Sequence, residues 1–168
     1  PPRAPAAGSP GGLGPATRRD GHATPLGAAA GVVAGLVAIT PAAGALNPVT
    51  SIVLGLVAGA LSALAVGLKY RFGYDDSLDV VGVHLVSGLW GTVAIGFLAT
   101  DTGLFFGGGA QQLVVQVLIA LVAIVFTAIT TTVIGLILKV TMGGRVSEEA
   151  EVGGIARAVL GARAGGEW

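Results

Sequence analysis

Residues 74–91 read YDDSLDVVGVHLVSGLWG, and the fold turns on how this stretch is placed. It opens with Asp75, Asp76 and Asp79, then passes into an apolar run interrupted by one histidine, His84. An ionisable side chain inside an apolar run of membrane length is expensive to place and marks a functional-site candidate. A helix beginning near Asp76 carries His84 about 12 Å along its axis, well inside the hydrocarbon depth. The helical neighbours of His84 are Val80, Val81, Ser87, Gly88 and Gly91. That face is narrow and mostly small, so a neighbouring helix or a thin channel can approach the imidazole.

Composition supports the membrane reading. Of 168 residues, 53% are hydrophobic and only 11% charged, far too few to cover a soluble surface. The formal net charge is zero, so neither a nucleic-acid-binding surface nor an acidic tail is expected. The absence of Cys removes disulfides, thiolate metal sites and a Cys nucleophile.

Residues 1–21 are Pro, Gly, Ala and Arg with little to bury, and are expected to be disordered or aberrant. They contain no apolar signal-peptide core and no initiator Met. The membrane domain is expected over residues 22–143 and a cytoplasmic tail over 144–168. Four apolar segments follow one another at 25–43, 48–68, 80–99 and 111–142. Each of the first three approximates the roughly 20 residues that cross a bilayer; the fourth must tilt or project. The expected fold class is therefore all-α integral membrane with four spanning helices.

Charge orients them. Arg3, Arg18 and Arg19 precede the first segment, Lys69 and Arg71 lie between the second and third, and Lys139, Arg145, Arg157 and Arg163 close the chain. The two alternate loops carry no Lys or Arg, so both termini are expected in the cytoplasm, in a plasma (inner) membrane protein. Gly27, Gly31 and Gly35 repeat GxxxG twice and Gly55 with Gly59 once more, the spacing at which membrane helices approach closely.

Two readings of His84 stand: a histidine hydrogen-bonded to a neighbouring helix, or one lining a path for a small polar solute. A neutral imidazole donates at one ring nitrogen and accepts at the other, which suits such passage. No second ligand of suitable type lies in an apolar segment, and His22 sits in the polar loop before Pro25, so neither a metal nor a cofactor is expected. Asp75 and Asp76 read as helix N-terminal caps. Asp79, closer to the membrane, is placed to hold backbone at the cytoplasmic mouth. No nucleophile, base–orienter pair or phosphate-cradling loop is present, so an enzyme is not expected.

DDSLDVVGVHLVSGLWGT from Asp75, with LVAITPAAG from Leu36 some forty residues earlier, resembles the ammonium transporter family, the ammonia and methylammonium permeases related to Rh proteins. RVSEEAE from Arg145 is similar to that family's cytoplasmic tail. The resemblance covers most of the chain. It implies the last four helices of an eleven-helix protomer that assembles as a homotrimer in lipid and conducts ammonium or ammonia. It also implies a PII-type signalling protein as partner at the cytoplasmic face. By this resemblance His84 is one of two pore histidines, Thr40 lines the pore, and Asp79 opens the histidine-bearing helix at the cytoplasmic mouth; Val80, on the His84 face by helical spacing, is expected to line the pore with them.

The second histidine, the phenylalanine gate and the outer recruitment site belong, by the same resemblance, to helices that precede these four. Trp90 is expected to serve packing. Both ends look like GC-rich DNA read in another frame, and the chain is expected to be a truncated portion, inactive alone. The alternative is a non-conducting membrane assembly or interaction subunit.

Overall fold

The computed structural model describes residues 2–143; the expected tail, with RVSEEAE at 145–151, lies outside the described residues. Two compact units divide the chain at residues 122 and 123. The described residues are helical without strands, and four helical stretches are long and apolar enough to cross a membrane: Pro25–Ala42, Pro48–Phe72, Val81–Leu98 and Gln111–Met142. These coincide with the four segments expected from hydropathy.

Local chemistry sets where the helices start. Helix α2 (Pro25–Ala42) begins at Thr24, whose Oγ1 accepts from the Gly27 N–H at 3.0 Å, with Pro25 in the first turn where no N–H is needed. Helix α3 (Pro48–Val66) begins at Asn47, whose Oδ1 accepts from Val49 N at 3.0 Å and Thr50 N at 2.9 Å. A short helix, α4 (Leu68–Phe72), continues it and stops at Gly73, which adopts the left-handed conformation that favours glycine. A π-turn (Val81–Leu85) leads into α5 (Val86–Leu98). A 3₁₀ turn (Leu104–Phe106) precedes α6 (Gln111–Met142).

The N-terminal segment departs from expectation. Residues 1–21 were expected to be disordered or aberrant; instead Arg3–Asp20 forms a helix, α1, and Ala4, Ala7 and Ala16 are buried. Its Pro10, Pro15 and glycines weigh against a helix by propensity. Packing overrides them, because small side chains let its backbone reach the glycine stripes of α2 and α3. Ala4 lies against Gly35 and Gly55, Gly8 against Gly31 and Gly59, and a Cβ built on Gly12 would stand 3.1 Å from the Gly31 Cα. Contacts running backwards along α2 and forwards along α3 make α1 antiparallel to the first and parallel to the second. The GxxxG stripes thus serve close approach, and their occupant is the segment that looked unable to fold.

Elsewhere in the first unit Ala38, Ile39, Leu54, Ala58, Ala94, Ile95 and Leu98 form the core. Trp90 packs against it and donates its indole N–H to the Leu54 carbonyl at 3.1 Å, tying α5 to α3. The start of α6 meets α5 where Gly96 faces Leu113. In the second unit the described residues, 123–143, continue α6 with almost every side chain exposed.

Candidate functional site

Three of the four expected site residues come from one segment, the entry to α5. Its first exposed N–H groups are satisfied by Asp76, whose carboxylate accepts from Val80 N at 2.7 Å and Val81 N at 2.9 Å. Asp75 lies in the preceding loop, 3.4 Å from the Ser77 hydroxyl. Asp79 plays a different part. It is the single non-glycine described residue with positive φ, at 56°, a conformation Asp tolerates better than most. Its Oδ1 lies 2.6 Å from Lys69 Nζ, and Lys69 also donates to the Asp76 carbonyl at 3.1 Å. One lysine in α4 therefore clasps two points, three residues apart, of the loop that opens the histidine-bearing helix.

Sequence reasoning treated Lys69 only as an orienting charge. A basic residue closing one span and three acids opening the next is a signal that could have found the pair, since a short loop brings such groups together.

The π-turn changes the face on which His84 sits. In an unbroken α-helix His84 would share a stripe with Ser87, Gly88 and Gly91. That stripe is packed on α2: Gly91 abuts the Ala38 backbone, a Cβ on Gly88 would stand 3.6 Å from Val37 Cγ1, and Ser87 is fully buried. His84 is exposed. The Val86 N–H bonds to the Val81 carbonyl, five residues back, so one extra residue is wound into this turn. One residue corresponds to about 100° of helix rotation between the residues before the turn and those after it; His84, inside the turn, is displaced from the stripe by part of that. The Ser87 hydroxyl is left without a hydrogen-bond partner.

Val80, at the start of the segment, is exposed, and Asp79 half-buried. Thr40 is exposed on α2, its hydroxyl donating to the Leu36 carbonyl at 2.8 Å, and it lines an open groove with Pro2, Leu36 and Ala43. No hydrogen bond joins Thr40 to His84 among the described residues. Asp79 lines a separate small cleft with Thr24 and Ser62. Among the described residues no three His, Cys, Asp or Glu side chains gather as a metal site.

Residues 4–164 match the model of the Ammonium Transporter Family. The chain is 51% identical over 149 residues to an ammonium transporter of Mycobacterium bovis, an alignment covering 82% of this chain and 31% of that relative. It is 44% identical over 138 residues to an ammonium transporter of Aquifex aeolicus, covering 79% and 32%. The crystal structure of Candida albicans Mep2 superposes with a TM-score of 0.79 at 28% identity, over 87% of this chain and 35% of that one. Saccharomyces cerevisiae Mep2 gives 0.72 at 29% identity, over 84% and 36%. The chain thus spans about a third of the length of the curated relatives it matches. The family match includes α1, so the boundary expected at residue 22 is not a boundary of the match.

Proposed function

The chain belongs to the ammonium transporter family, and on that premise we propose that it forms one wall of a path for ammonium or ammonia across the membrane, with His84 on that wall. One observation carries the reading. The imidazole of His84 is exposed in the wide turn that opens a membrane-length helix. Exposed in this way, its two ring nitrogens are free to accept from and donate to a small solute that has left its hydration shell. Val80, exposed toward the start of the same segment, adds an apolar surface that disfavours a charged ion relative to a neutral molecule. Thr40 would contribute to the wall from α2, and Asp79 would order the cytoplasmic mouth.

The orientation rests on the Lys and Arg distribution, which puts the loop between α4 and the π-turn in the cytoplasm of a plasma (inner) membrane protein. The trimeric assembly and the PII-type partner at that face come with the family resemblance and are proposed on that ground alone. No second histidine lies on a spanning helix of these 168 residues, so a paired imidazole must come from elsewhere, and the chain by itself is expected not to conduct. Uptake of labelled methylammonium is the test: none above background with the chain alone, saturable uptake when it is co-expressed with the first two thirds of a relative. Saturable uptake by the chain alone would refute its expected inactivity; no uptake in either case, with both parts in the membrane, would refute the proposed path.

A second reading, a non-conducting membrane assembly subunit, draws on the exposed apolar length of α6, where Val122, Phe126 and Val140 are all bare. It predicts stable co-purification with such a partner portion without uptake.

A further inference from the structure

Between α4 and the π-turn the chain makes a loop that one lysine and one aspartate cross-tie. Lys69 lies in α4 before the loop, Asp76 and Asp79 lie in its second half, and the π-turn follows at Val81. We infer that Lys69 is a positioning residue for His84, acting through Asp79 and Asp76 to hold the π-turn that keeps the imidazole out of the α2–α5 seam. The inference rests on the reading that His84 faces the conduction path.

Four observations join. The ammonium of Lys69 reaches the Asp79 carboxylate and the Asp76 carbonyl together, so it bridges two points of the loop three residues apart. Asp79 is held at φ 56°, which turns the chain immediately before the helix, and its carbonyl accepts from the Val83 N–H at 2.8 Å. Asp76 caps Val80 and Val81, the residues at which the wide turn begins. The π-turn then contains His84 itself.

Each of these fixes the phase of the first turn relative to α5, whose own phase is set by Gly91 on Ala38 and Trp90 on Leu54. Two phases that disagree must be reconciled between them, and an extra residue wound into one turn does so. Without the Lys69 bridge, Asp79 has no reason to keep a sparsely populated conformation, and the entry is free to relax to an unbroken α-helix. His84 would then share the packed stripe with Ser87, whose buried hydroxyl, three residues on and without a partner, would gain one.

The experiment reads His84 directly. The full chain is reconstituted in lipid nanodiscs, and the rate at which diethyl pyrocarbonate modifies His84 is followed by peptide mass spectrometry. Lys69→Met and Asp79→Asn are each expected to slow modification at least fivefold. Lys69→Arg, which keeps a donor able to reach both oxygens, should return the rate to within twofold of the parent. Arg71→Met in the same helix should leave it unchanged. Trp90 fluorescence, in a Trp168→Phe background, reports whether α5 keeps its packing; where Lys69→Met loses it, Asp79→Asn decides, since Asn keeps the left-handed conformation accessible and removes only the charge. A His84 rate within twofold of the parent in a variant that retains its fold would overturn the inference. Because the readout needs no transport, failure here is distinguishable from failure of the conduction reading, which only uptake measures.

Discussion

Alanine at Gly8 and alanine at Gly14 make the same chemical change in the same helix and should have opposite effects. Each gains the intrinsic advantage of Ala over Gly inside a helix, about 1 kcal/mol. At Gly14 a new Cβ meets nothing within 4 Å, so that gain stands. At Gly8 the new Cβ falls on the Gly31 carbonyl and 3.1 Å from the Gly35 nitrogen, both backbone atoms that no rotamer change can move. Helix α1 must then withdraw from α2, at a cost of about 1–3 kcal/mol typical of overpacking. The propensity term cancels in the difference, so Gly8→Ala should unfold about 1–3 kcal/mol more readily than Gly14→Ala. Reversible unfolding of both variants in mixed micelles, followed through Trp90 fluorescence in a Trp168→Phe background, measures this. Equal shifts of the same sign would mean that α1 does not sit on the glycine stripes, and the packing described for residues 3–20 would be wrong.

Three further outcomes follow from the same geometry. Gly91→Leu drives a side chain into the Ala38 backbone and should separate α5 from α2, costing about 1–3 kcal/mol in the same unfolding assay. Asp76→Ala removes the acceptor for two backbone N–H groups and should destabilise by about 0.5–2 kcal/mol, with faster amide hydrogen exchange confined to the first turn after residue 79. Trp90→Phe keeps most of the apolar contact but loses the bond to Leu54, and should cost about 0.5–1.5 kcal/mol in unfolding followed by far-ultraviolet circular dichroism, since the substitution removes the fluorophore.

Hydropathy and capping chemistry made four helices legible, because an apolar run of about 20 residues has few alternatives to a spanning helix. Thr24–Pro25 and Asn47–Pro48 marked two starts to the residue, and Asp76 the capping of a third. Helix α1 was not legible, since Pro10, Pro15 and its glycines argue locally against a helix while the reason for one lies on α2 and α3. The π-turn left no mark either, because one extra residue in a turn does not alter an apolar run. A basic residue before a short loop and acids after it signal a pairing, but that Lys69 meets Asp79 and the Asp76 carbonyl depends on the path of the loop. His84, Thr40, Val80 and Asp79 were legible as candidates, three from their place on one segment and Thr40 only through resemblance.

The most direct test is methylammonium uptake by the chain co-expressed with the complementary portion of a relative, compared for the parent, His84→Ala and His22→Ala. His84→Ala should abolish uptake or lower it at least tenfold with the protein still in the membrane, while His22→Ala, in the loop before α2, should leave it unchanged. Uptake by the His84→Ala variant equal to the parent would contradict the placement of His84 on the wall of the path.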